Sequence, residues 1–133
     1  MREIIPLTQL LCTDEVVDFM SFSELELKRI DRIIGDDFRN RVPPEHRDKL
    51  RYELRIERHN VFLSEVRPRW DQPEEWLAVD FAKLRYIRNH GIWKLYWKRA
   101  SGKWELYEPK SEARSLNKLF DVIREDKFGC FFG

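Results

Sequence analysis

Leu27, Ile30, Ile34 and Phe38 recur at three- and four-residue spacing, with Ile33 beside them. That spacing lays one apolar stripe along a helix of about five turns. Ser21 and Ser23 each stand three residues before a glutamate, Glu24 and Glu26, so either pair can close a capping box at the helix start. Val42-Pro43-Pro44 stops the helix, because proline has no amide hydrogen and restrains the residue before it. From Leu50 the period changes to two. Leu50, Tyr52, Leu54 and Ile56 alternate with Arg51, Glu53, Arg55 and Glu57, the pattern of a strand with one buried and one wet face.

Arg58-His59-Asn60 reads as a short turn, and Val61 to Arg67 as a second strand. A loop through Pro68, Trp70 and Pro73 leads to three further strands, at about 79–88, 92–99 and 103–108. Asn89-His90-Gly91 and Ala100-Ser101-Gly102 join them as glycine-containing hairpin loops. Leu116, Leu119, Phe120 and Ile123 mark a second amphipathic helix with Ser115 at its start, and the chain ends on the apolar run Phe128 to Gly133. The order predicts an α+β domain. A hairpin and a three-stranded meander form a five-stranded antiparallel sheet, with a helix before it and a helix after it packed on one face. Gly129 is expected to turn the tail back, so that it docks on the core or along a sheet edge.

Residues 1–19 lack this periodicity and read as an extension, or as a short helix from Thr13 to Phe19. The single domain is therefore expected at 20–133. Ile4 to Leu11 is broken by Pro6, Thr8 and Gln9, too short and polar for a signal peptide. Cys12 and Cys130 make no disulfide framework, and no Cys/His cluster has zinc spacing, so a cytoplasmic location and no metal or other cofactor are expected.

The net charge of +1 conceals an asymmetry. Residues 1–48 hold seven bases and eleven acids, and the remainder eighteen bases and thirteen acids. Between Phe81 and Trp104 there are seven cations and no acid, beside Tyr86, Trp93, Tyr96 and Trp97. Alternation expects Leu84, Tyr86, Trp93, Leu95, Trp97, Trp104 and Leu106 in the core. The other face then carries Lys83, Arg85, Lys94, Lys98 and Lys103, with Phe81, Tyr96 and Tyr107. Cations there would neutralise phosphates, and tyrosine rings would stack on unpaired bases. A solvated face needs charge in any case, and lysine on strands discourages edge pairing, so the pattern alone does not name a ligand.

Catalytic signals are weaker. Glu53, Glu57, Glu65 and Asp80, with Arg67 or Lys83, could be read as a magnesium nuclease, but arginine is a poor water-activating substitute for lysine. His59 and His90 could act as an acid–base pair, though both sit in turns where polar residues serve local purposes. Glycine-rich phosphate loops, nucleophile elbows and zinc helices are missing from the sequence.

Several short strings carry a resemblance. They are Ser23-Glu24-Leu25-Glu26, Val66-Arg67-Pro68-Arg69-Trp70, Lys83-Leu84-Arg85-Tyr86, Trp93-Lys94-Leu95-Tyr96-Trp97, Trp104-Glu105-Leu106-Tyr107-Glu108-Pro109 and Gly129-Cys130-Phe131-Phe132-Gly133. From about residue 20 onward the chain resembles the uncharacterised bacterial family catalogued as domain of unknown function 3024. That likeness implies one compact domain and brings no activity or site residues. The sequence therefore leaves three readings. First is a non-enzymatic module whose basic face engages a polyanion, most plausibly nucleic acid. Second is a protein-interaction or adaptor domain, homodimeric through its tail or an open sheet edge. Third is a small nuclease.

Overall fold

The computed structural model describes residues 21–132; the extension and the Thr13–Phe19 helix lie outside them. The first helix runs without a break through α1 (Glu24–Ile30), a π-helical turn (Asp31–Gly35) and α2 (Asp36–Arg41). Ser23 forms the full capping box, its hydroxyl accepting from the Glu26 amide while the Glu26 carboxylate accepts from the Ser23 amide. Leu27, Ile30, Ile34 and Phe38 are buried, as their spacing requires. Gly35 sits where a Cβ would strike the Asp31 carboxylate, which Arg39 grips through two bonds of 3.1 Å across the wider turn. Ser23→Ala is expected to lower stability by about 1 kcal/mol in urea unfolding, the usual worth of a hydroxyl cap.

Strands β1 (Arg51–Glu57), β2 (Asn60–Pro68), β3 (Trp76–Ile87), β4 (Ile92–Lys98) and β5 (Trp104–Leu106) pair in chain order, all antiparallel. A two-residue strand absent from the sequence reading, β6 (Glu112–Ala113), continues along the β4 edge that β5 begins. Helix α3 (Leu116–Glu125) follows, and with the first helix it covers one face. The architecture is the α+β arrangement that the periodicities predict.

The core lies between that face and the helices, where Val61, Leu63, Ala82, Leu84 and Leu95 meet Ile30, Ile34, Leu119 and Ile123. The tail docks into it. Asp126 adopts a left-handed conformation (φ 46°), and its carboxylate accepts from the amides of Phe131 and Phe132 at 3.0 and 2.8 Å. Phe131 thereby packs 5.0 Å from the Tyr107 ring, and Phe132 against Tyr52 and Phe81. Burial and the Asp126 carboxylate raise the pKa of the Cys130 thiol, which disfavours a reactive thiolate.

Two register details depart from simple alternation. Between Leu63 and Ser64 of β2 the pairing shifts, and β3 holds one extra residue. This bulge brings Phe81 to the helix side, against Tyr52 and Phe132, and puts Asp80 on the open face opposite Ser64. The second departure is in β5. Lys98 pairs with Trp104 and Tyr96 with Leu106, so both apolar β5 residues face away from the helices while Tyr107 is buried at 2% exposure. The expected faces of Phe81, Trp104, Leu106 and Tyr107 are all reversed.

Candidate nucleic-acid interface on the open sheet face

In an antiparallel pair, directly opposed residues project to the same side of the sheet. Register therefore collects the open face from all the long strands. Arg51 and Arg55 come from β1, and Asn60, Phe62 and Ser64 from β2. Trp76, Asp80, Lys83 and Arg85 come from β3, Lys94, Tyr96 and Lys98 from β4, and Trp104 from β5.

Four of the six cations on this face lie on rings. The Arg51 guanidinium stands 3.8 Å above Trp76, and that of Arg55 stands 4.5 Å above Phe62. The Lys83 ammonium lies 4.5 Å from the Tyr96 ring and 5.5 Å from that of Trp104, while the Lys98 ammonium lies 5.4 Å from Trp104. Phe62 and Trp104, from strands separated by two others, lean together with centroids 5.9 Å apart. A flat sheet would hold those strands about 14 Å apart, so the two rings bend toward one another over Lys83. Burial among the rings, with Arg85 nearby, lowers the Lys83 pKa. Each such contact is worth about 0.5–1 kcal/mol near solvent, enough to hold the rings in place without hiding them.

Asp80 organises the centre. Burial alone would raise its pKa, but hydrogen bonds from Arg55 (3.0 and 3.1 Å) and Ser64 (2.5 Å) outweigh that and lower it. The Arg55 pKa is correspondingly raised, first by Asp80 and then by Glu57. Arg55 is thus committed internally. Arg85, Lys94 and Lys98 form no ion pair with a described carboxylate. Arg85 and Lys94 lie directly opposite each other, a like-charge pairing that is unfavourable, with Glu112 of β6 opposite Lys94 on its other side as the nearest cross-strand acid.

Of the sequence-predicted residues, Lys83, Arg85, Lys94, Tyr96 and Lys98 share this face. Tyr107 does not, since it fills the core beside Phe131. Lys103 precedes β5, and alternation from Trp104 places it on the helix side with Glu105. Sequence reasoning missed Trp104, Phe62 and Trp76 as components. For Trp104 the signal was present, because a three-residue loop at 100–102 places residue 104 opposite Lys98.

The residues of the nuclease reading are divided between faces. Asp80 and Glu53 lie on the open face, whereas Glu65 lies on the helix side opposite Val79, paired with Arg67 at 3.0 Å. Among the described residues no three His, Cys, Asp or Glu side chains group as a metal site requires. His59 packs edge-on to Phe22 at 5.6 Å, and burial, with Arg88 nearby, lowers its pKa.

Comparison with known families falls on nearly the whole described chain. The family model described as "Domain of unknown function (DUF3024)" matches residues 22–133. The chain belongs to this family. No curated protein and no solved structure matches it. The DUF3024 match spans the capped first helix, the whole sheet and the docked tail, so the open face is part of the family domain. Among the described residues, no helix is long and apolar enough to cross a membrane.

Proposed function

We propose that this is a bacterial, cytoplasmic, non-enzymatic module that binds single-stranded nucleic acid on the open face of its sheet. The observation that carries the reading is the outward turn of Trp104. With Tyr96 it places two half-buried rings around Lys83, beside Lys98, on a face that also presents Arg85 and Lys94. Rings supply stacking surfaces that tolerate any base, and unpaired cations attract the phosphates between them. Trp104 reaches over the face from the edge strand β5 toward Phe62 and stays only half-buried there, which leaves ring surface open to a base.

The test is fluorescence anisotropy of labelled single- and double-stranded oligonucleotides across a salt series. Single strands are expected to bind more tightly, with affinity falling as salt rises. Trp104→Ala should weaken binding roughly 10- to 100-fold, the usual cost of a lost base-stacking ring. Lys94→Glu/Lys98→Glu should weaken it further and flatten the salt dependence. No binding at low salt would retire the reading.

A second reading is favoured by one observation. Beyond the bulge, Leu77 and Val79 stand 53% and 59% exposed on the helix side of β3, past the cover of the helices. Exposed aliphatics side by side on a strand mark a protein contact. Sedimentation that showed a concentration-dependent dimer, abolished by Val79→Lys, would support an adaptor role.

A further inference from the structure

At one end of the sheet the β1–β2 and β3–β4 turns enclose a hollow of about 370 Å³, lined among others by Arg58, His59, Asn60, Arg85 and Arg88. We infer that this hollow is a phosphomonoester site, which takes the terminal phosphate of a bound strand. The inference rests on the nucleic-acid reading only in identifying the strand as the carrier of the phosphate.

The charge balance points to a dianion. Arg88 is neutralised by Glu26 through bonds of 2.9 and 3.3 Å, and is further held by the Ser21 carbonyl at 3.1 Å. Arg58 and Arg85 have no such partner among the described residues. Two uncompensated guanidiniums match a phosphomonoester, which carries close to two negative charges near neutral pH, better than the single charge of a diester. Three buried side-chain polar atoms among the described residues lack any partner: His59 Nε2, Asn60 Oδ1 and Arg88 Nε. All three belong to residues in the wall of this hollow. Those atoms are themselves sealed from solvent, so a ligand in the hollow meets the exposed guanidiniums of Arg58 and Arg85 rather than these three groups.

Position supplies the strand. Asn60 is opposite Arg85, and Arg85 is opposite Lys94 on the open face, so the hollow continues the Lys98–Lys94 row. A chain stacked along Trp104 and Tyr96 would run out at the turns. Arg58 itself holds a left-handed backbone (φ 57°), a conformation that glycine takes without strain.

The test compares 5′-phosphorylated, 3′-phosphorylated and unphosphorylated versions of one short labelled single strand, with the parent and Arg58→Gly proteins. Inorganic phosphate and AMP are titrated while the Tyr86 and Trp93 resonances are followed by NMR. One of the terminally phosphorylated strands is expected to bind about tenfold more tightly than the unphosphorylated one, the scale of one charge-assisted bond. Arg58→Gly should abolish that preference without lowering thermal stability, since glycine removes backbone strain as it removes the cation. Equal affinity for all three strands overturns the inference. If no strand binds, phosphate-induced shifts that Arg58→Gly abolishes keep the site and retire the nucleic-acid reading, whereas absence of shifts overturns the site as well.

Discussion

Phe131→Ala is expected to lower the unfolding free energy by about 3–4 kcal/mol, and the midpoint by roughly 10–20 °C. Phe131 is 7% exposed and belongs to the same core as Tyr107, Phe120 and Ile123, although it lies two residues from the last position of the chain. Truncation removes its apolar area and leaves a cavity beside the Tyr107 ring, which cannot collapse because β4 holds that residue by a Tyr107 amide to Leu95 carbonyl bond of 2.9 Å. The half-buried Phe132 should cost less on the same truncation, about 1–2 kcal/mol, as its ring keeps one side toward solvent and the Arg41 guanidinium at 4.4 Å. Urea unfolding of both variants decides the matter. A Phe131→Ala protein within 0.5 kcal/mol of the parent would mean that the tail is ornamental.

Asp80→Ala should cost about 2–3 kcal/mol near pH 7, less than a wholly buried pair, because the side chains of Arg55 and Asp80 keep 26% and 19% exposure. The loss combines the bidentate Arg55 pair with an unpaired Ser64 hydroxyl that is itself 3% exposed. The effect has a defined pH dependence. The folded-state pKa of Asp80 is depressed, so its contribution is complete above the unfolded value of about 3.9 and disappears as pH falls through the lower folded value. Parent and variant stabilities should therefore converge below about pH 4, as measured by urea midpoints across a pH series. A gap that stayed constant down to acid pH would show that packing, and not the ion pair, sets the loss. Asp80→Ala should also loosen the ring cluster, because Arg55 is held over Phe62 by the same pair.

Much of this architecture was legible along the chain. The stripe Leu27, Ile30, Ile34, Phe38 and the capping box of Ser23 and Glu26 are local properties, decided by helical period and by donors within three residues. The strand alternation from Tyr52 to Ile56 and the glycine turns at Gly91 and Gly102, with φ 63° and 89°, are local in the same sense. The π-helical turn at Asp31–Gly35 left no such mark, because the apolar spacing is kept across it.

The candidate site was only half readable, for a physical reason. Alternation separates Trp104 and Leu106 from Glu105 and Tyr107, but both sets include an apolar member, so period two does not say which set faces the helices. Pairing with β4 decides it, by placing Trp104 beside Lys98 and closing Tyr107 under Phe131. The β3 bulge acts likewise, since one inserted residue exchanges the faces of Phe81 and Asp80 without altering composition. The sequence by itself determined the two amphipathic helices, the five main strands, their order and the stretch that carries the cations. Only the tertiary structure brought Arg51 to Trp76 and Lys83 to Trp104, because those contacts join strands of different hairpins and depend on the bulge and twist of the whole sheet.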